Sequence, residues 1–431
     1  MEEDNALPTI MECSASYYLV EDDGVPVASG ESKVLLDREK LTALPASGES
    51  LVINYRDIVE ISKGDYRIEL RLVSKEKLTL SDLGYKYEDF LRNLSNLNNE
   101  VMLKDLLMDE TLLKSGVEAD FSRTENRVEK GKGQCEFRIY ETGLVVIGWD
   151  GSFARIPYSY VVQVRVEDYR LVVDTEYGES YAFSRMGKSL DDCYRMLNNS
   201  INELSTRTQL LLKDVFPSRD SSLIRKVAKL MKDGRAARRA DIEVISLEMW
   251  ADLENKLELF GIKEEYDHLK SLGQAERMCI GIKNGLMGDL TGQYIYFLAP
   301  FFSTDPSQPG NAIAMEATAD GDSGRATYFF KITDQNTYQN LKTLNDLQEA
   351  ADKAMVTLNH HLISVNFRRE PVYLTEAQLN STAYVGYRRA LAMVPSLREL
   401  RRLFMGRVMH HSPEQWQGAV RQMLQSSVKG A

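Results

Sequence analysis

The chain has 431 residues, 43% hydrophobic and 27% charged, with a formal net charge of −11. These are the proportions of a globular protein of about three domains, and they exclude a disordered or fibrous chain. No apolar stretch nears the ~20 residues of a membrane-spanning helix, Ile295–Phe302 being the best. Met1-Glu2-Glu3-Asp4 is acidic where a secretory leader is basic. Cys13, Cys135, Cys193 and Cys279 show no CxxC pair and no zinc spacing, so they read as reduced thiols of a cytoplasmic protein.

The charge is uneven. Residues 1–110 hold 12 basic and 23 acidic side chains, net −11; 111–219 are net −1 and 220–431 net +1. An acidic N-terminal module disfavours nucleic acid and anionic membranes as its partners. Solubility is the plainer reading of that charge; a docking face for a basic partner is the sharper one.

Residues 33–100 fall without a gap on 136–203, with seventeen identities in sixty-eight positions, where chance gives roughly four. The chain therefore carries two tandem copies of one module. In the first copy, a strand is expected at Ser14–Val20 before the turn Asp22-Asp23-Gly24. Further strands follow at Ile58–Ser62, Tyr66–Val73 and Lys77–Leu80, with Gly64 at a turn. Tyr87, Phe90, Leu91 and Leu94 then form one face of a helix. In the second copy, the strands are Gly116–Phe121, Glu136–Tyr140, Leu144–Trp149, Phe153–Ile156, Tyr160–Val166, Tyr169–Thr175 and Tyr181–Phe183. Asp150-Gly151 is a hairpin signal, Val166-Glu167-Asp168 and Tyr177-Gly178-Glu179 are further turns, and Leu190, Cys193, Tyr194, Leu197, Ile201 and Leu204 mark a helix opened by Ser189 and Asp191-Asp192. Cys193 stands where the first copy has Phe90, so it reads as a small core residue.

Six or seven antiparallel strands closed by one C-terminal helix, over about 12–215 for both copies, resemble the pleckstrin-homology-like superfold. The resemblance rests on element order and length. It implies an α+β protein: two tandem PH-like β-barrels each closed by a helix, then a helical linker, a mixed α+β domain and a helical C-terminal tail. The expected divisions are 12–110, 116–216, 220–272, 273–370 and 371–431. Some members of the family bind phosphoinositides through a basic first hairpin, for which Lys130, Lys132 and Arg138 are a loose match. A solvated loop is the plainer reading of those cations. Many members instead bind peptides along a strand edge.

Pro217 ends the second repeat. Ser221–Arg239 then reads as a basic amphipathic helix. Leu223, Val227, Leu230 and Met231 form its stripe, surrounded by Arg225, Lys226, Lys229, Lys232, Arg235, Arg238 and Arg239. Such a helix can lie on an anionic membrane; the plainer reading packs the stripe on the protein and turns the cations to acids of the first repeat. No aromatic residue lies among them to stack on bases, which disfavours nucleic acid. A helical stretch spans Glu248–Leu272. Strands follow at Met278–Ile282, Gln293–Phe302, Ala312–Ala317 and Arg325–Ile332, with Ser303–Gly310 as a loop, and then a helix at Leu344–Leu362. A diverged third copy is an open alternative here. Glu376–Ser427 reads as two or three helices lined by Arg388, Arg389, Arg398, Arg401, Arg402 and Arg407, either a packed appendage or a partner-binding arm.

No catalytic motif stands out. The pairs His360-His361 and His410-His411 point about 100° apart on a helix, which does not suit one metal. Asp320-Gly321-Asp322-Ser323-Gly324 lacks the ligand set of a calcium loop. Gly281, Gly285, Gly288 and Gly292 come without a phosphate-loop motif. The expectation is a non-enzymatic scaffold or adaptor without cofactor or metal that binds protein partners or self-associates. The alternatives are peripheral membrane association through 221–239 and the second repeat, and an enzyme with a site in 273–370 that uses His360 or His361. The candidate interaction residues are the seven linker cations with Lys130, Lys132, Arg398, Arg401 and Arg402.

Overall fold

The computed structural model describes residues 9–105, 110–149, 152–284, 292–305, 310–319, 325–341 and 343–429. The Asp150-Gly151 turn, the 320–324 loop, Gly285 and Gly288, the first residues of the chain and part of the 303–310 connector lie outside these.

The first repeat runs β1 (Met11–Val20), β2 (Pro26–Leu36), β3 (Lys40–Pro45), β4 (Leu51–Asn54), β5 (Ile58–Gly64), β6 (Arg67–Leu72), β7 (Lys77–Ser81) and helix α1 (Tyr87–Asp105). The second runs β8 (Leu112–Glu125), β9 (Val128–Tyr140), β10 (Gly143–Gly148), β11 (Phe153–Pro157), β12 (Val161–Glu167), β13 (Arg170–Thr175), β14 (Glu179–Ser184) and α2 (Ser189–Val215). Each makes a seven-stranded antiparallel sheet, ordered β4-β3-β2-β1-β7-β6-β5 and β11-β10-β9-β8-β14-β13-β12. The two orders superpose strand for strand. Alternation along β6 buries Ile68, Leu70 and Leu72 on one face. Phe90, Leu91 and Leu94 of α1 close that core, and Cys193, Leu197 and Leu204 of α2 close its counterpart. Both Phe90 and Cys193 are fully buried, so Cys193 is a core residue.

The expected turn at Gly64 sits one step later. Gly64 is the last residue of β5, and the turn residues are Asp65 and Tyr66, both with positive φ. A two-residue hairpin of this hand matches the twist of its strands.

The third region is a six-stranded sheet: Ala237–Arg238, Cys279–Asn284, Gln293–Phe301, Ala312–Ala319, Ala326–Lys331 and Phe404–Met409, in that spatial order. One face packs under helices Leu344–Ser364 and Pro395–Leu403. The other packs under helices Ser221–Leu230, Leu247–Leu259, Lys263–Leu272 and Pro413–Lys429.

Three further sequence expectations change. The basic helix ends at Leu230 and not at Arg239, because Asp233 (φ 49°) and Gly234 (φ 81°) reverse the chain and Ala237–Arg238 joins the sheet. The stretch 248–272 is two helices broken at Gly261, whose φ is 69°. The last segment is more than helical, since Phe404–Met409 pairs antiparallel with Ala326–Lys331. Phe404 had read as the end of a helical stripe; a six-residue strand with no alternation gives no period to oppose that.

Candidate anion-binding cleft

The short 3-10 turn Tyr55–Asp57 precedes β5 and is anchored by the buried Tyr55 ring. It directs Arg56 at the end of α1, where Asp105 accepts from Arg56 Nε (3.0 and 2.9 Å) and Nη2 (2.8 Å). In the second repeat, β8 and β9 form a long hairpin turning at Asn126 and Arg127, both with positive φ. This hairpin places Arg123, Lys130 and Lys132 beside Arg56. A third wall comes from helices Val385–Met393 and Pro395–Leu403, which bring Arg388, Arg389 and Arg398.

These side chains surround a cleft of about 480 Å³ whose remaining lining includes Ile58, Val59, Val146, Phe153 and Met393. Among the described residues, no carboxylate lines it. Three cations have acids behind them: Arg56 has Asp105, Arg123 has Glu179, and Lys132 has Glu129 at 3.1 Å. Lys130 is exposed without such a partner among the described residues, and Arg398 donates to the Ala392 carbonyl.

Arg389 differs from the rest. It is 6% exposed and donates from Nη2 to Asn98 Oδ1 at 2.8 Å, while Nε and Nη1 have no acceptor among the described residues. Burial pulls its pKa down to about 10; Arg56 adds to that, and Asp105 and Asp57 oppose it. Desolvation of the Arg389 guanidinium outweighs the attraction of Asp105 and Asp57, so an anion in the cleft would offset a cost already built into the fold.

The other predicted cations are placed elsewhere. Arg138 is buried and held by Glu136 and by Glu100 at 2.7 Å, outside the cleft. Arg225, Lys226 and Lys229 are exposed, while Ile224, Val227, Ala228 and Met231 are buried against the third region, so the apolar stripe is not free to meet a bilayer. Lys232 is half-buried. Arg235 pairs with Glu176 and covers the Tyr160 ring, Arg238 pairs with Asp352 and Asp241, and Arg239 with Glu243. None of these acids belongs to the first repeat, contrary to expectation. Arg401 caps the turn at 371–374 by donating to the carbonyls of Pro371, Val372 and Leu374, and Arg402 pairs with Glu399. The fold thus gathers Lys130, Lys132 and Arg398 and separates the others. Arg56 and Arg123 carried no signal in the sequence, because they reach the cleft only through the packing of the repeats.

The histidines divide. His360 packs against the Tyr160 and Tyr177 rings, and burial lowers it to about 3; burial also lowers His361. His410, which the sequence did not single out as a site, lies between Glu265 (3.1 Å) and Glu316 (3.2 Å); burial lowers it, but the hydrogen bonds and charges of the two carboxylates together outweigh that and raise it to about 9. Among the described residues, no cluster of His, Cys, Asp and Glu has the arrangement of a metal site, and no helix is long and apolar enough to cross a membrane.

No protein-family model and no curated protein matches the chain. Among solved structures, it is similar to the C-terminal domain of an unknown protein from Leishmania infantum: 17% identity, 24% of this chain, 96% of that one, TM-score 0.20. It is also similar to the Spt16D Pob3N heterodimer: 14% identity, 39% of this chain, 85% of that one, TM-score 0.17.

Proposed function

We propose that this chain is a non-enzymatic scaffold or adaptor in which two pleckstrin-homology-like repeats and the C-terminal helices hold an anionic stretch of a protein partner. The seven-strand order shared by the repeats, each with a helix closing its core, supports the family reading. One observation carries the functional reading: a concave site lined by cations and, among the described residues, no carboxylate, with the buried, incompletely partnered Arg389 among its walls. Placing the site between repeats makes binding depend on both, so a bound partner would also fix their relative placement.

The test is thermal unfolding in rising concentrations of sulfate and of poly-glutamate, for the wild-type chain and for the double variant Arg388→Glu/Arg398→Glu. A ligand that binds only the folded state raises Tm with concentration. The expected result is a saturable rise in the wild type that is absent in the variant. Equal curves for the two proteins would reject the cleft as the site.

A further inference from the structure

The cleft's charge and its apolar lining together narrow the anion. We infer that the group it takes is a phosphate monoester on an apolar stem, as on a phosphorylated side chain of the partner; this rests on the binding reading above. Among the described residues, Lys130, Arg388, Arg389 and Arg398 line the cleft with no carboxylate partner. They come from two separate parts of the chain. One carboxylate would leave most of that charge unmatched, whereas a phosphate monoester carries −1.5 to −2 at neutral pH and three acceptor oxygens. Arg388, Arg389 and Arg398 bring planar guanidinium groups to the cleft wall, a group that favours two-point contact with phosphate over the point charge of a lysine.

The apolar lining points to what carries the phosphate. Val59, Val146, Phe153 and Met393 border the same space as the cations. A free inorganic ion would leave this surface wet, while an aryl or alkyl stem would cover it and gain from the burial. The volume of about 480 Å³ lies in the ordinary range for small-ligand sites, large enough for a phosphorylated side chain with a few flanking atoms.

Isothermal titration of the full chain with phenyl phosphate, inorganic phosphate and benzoate tests this. The expected order is phenyl phosphate tightest, with benzoate at least about tenfold weaker for lack of the second charge and inorganic phosphate weaker for lack of the stem. Arg389→Met should weaken phenyl phosphate by about ten- to a hundredfold. If that variant does not fold, Arg388→Glu/Arg398→Glu, altered at the rim, should do the same. Benzoate binding as tightly as phenyl phosphate would overturn the phosphate inference and leave the anion-binding reading standing. No binding of any probe, with no Tm shift in sulfate or poly-glutamate, would remove both. Co-sedimentation with vesicles of phosphatidylcholine and phosphatidic acid, without phenyl phosphate binding, would assign the site to lipid and overturn the protein-borne ester.

Discussion

At the β5–β6 hairpin, Asp65 and Tyr66 have φ of 50° and 57°; at the β12–β13 hairpin, Asp168 and Tyr169 have 49° and 57°. Ahead of each helix, Gly84 and Gly187 repeat a φ of 57° and 55°. Yet the two helices face different surroundings. On α1, Asn99 donates to Glu136 and Glu100 pairs with Arg138, so the helix grips the second repeat's sheet; the identical Asn202 and Glu203 on α2 face solvent. Met102 and Leu103 are buried in that junction, and their counterparts Ser205 and Thr206 are exposed. The fold of a repeat is set by turns and core positions that both copies keep. Its place in the assembly is set by a few surface positions that differ.

The largest expected contrast lies at Arg155 and its counterpart Val52. Arg155 is buried at the junction with the third region, pairing with Glu110 and donating to the Ile363 carbonyl at 2.9 Å. Burial pushes the Glu110 carboxyl up, but Arg155, Lys283 and Thr142 hold it below its usual range. Val52 is 48% exposed on the edge strand β4. Arg155→Met strands a buried carboxylate and should cost about 3–5 kcal/mol in urea unfolding. Val52→Ala should stay within about 0.5 kcal/mol. Similar losses at both sites would mean that the repeats are embedded alike.

A second contrast is the pH response. His360, on the helix Leu344–Ser364, packs on Tyr160 and Tyr177 of the second repeat, where the first repeat has Asp57 and Ser74. In the unfolded chain a histidine binds its proton near 6.5; folded, burial delays this to about 3, helped by the neighbouring His361 and the cations of Arg235 and Arg123. Between those values the unfolded state holds more protons, so the stability is complete above 6.5 and is lost as pH falls towards 3. From pH 6.5 to 5 the wild type should lose ~2 kcal/mol more than His360→Phe. His410 runs the other way: raised to about 9 by Glu265 and Glu316, it contributes fully below 6.5 and loses that as pH rises, whereas His361 and His268, lowered by burial, add to the acid limb of both proteins. Equal acid limbs in the two proteins would show that folding leaves the proton affinity of His360 unchanged.

How much of this was legible follows from where the signals sit. The repeat, most of its strands and the α2 stripe from Leu190 to Leu204 are local patterns, readable at periods of 2 and 3.6. The short strand Phe404–Met409 was not, because its pairing partner lies some eighty residues earlier and its own residues continue a helical stripe. The cleft was legible only in pieces. Lys130, Lys132 and Arg398 stood out as cations, but nothing local ties 130 to 398 or brings Arg56 beside them. Nor does composition tell Arg389, buried beside Asn98, from Arg401, which caps a turn; that difference is one of desolvation, set entirely by packing.

The smallest effect probes where the repeats should be indistinguishable. Asp65 and Asp168 are the first central residues of equivalent hairpins, at φ values that cost an L-residue energy and glycine none. Asp65→Gly and Asp168→Gly each remove that penalty and add unfolded-chain entropy, and these opposed terms should leave a net change below ~1 kcal/mol. Among the described residues neither aspartate holds a buried partner; Asp168 pairs with the exposed Arg170, worth little at a surface. The flanking tyrosines are the less suitable site, since Tyr66 stacks edge-on against Tyr87 at 5.6 Å and the second repeat has Leu190 in place of that ring. The two glycine variants should therefore agree within about 0.5 kcal/mol in urea unfolding. A gap above about 1 kcal/mol would mean that the turns, though alike in φ, carry unequal strain, and that the likeness of the repeats ends at backbone geometry.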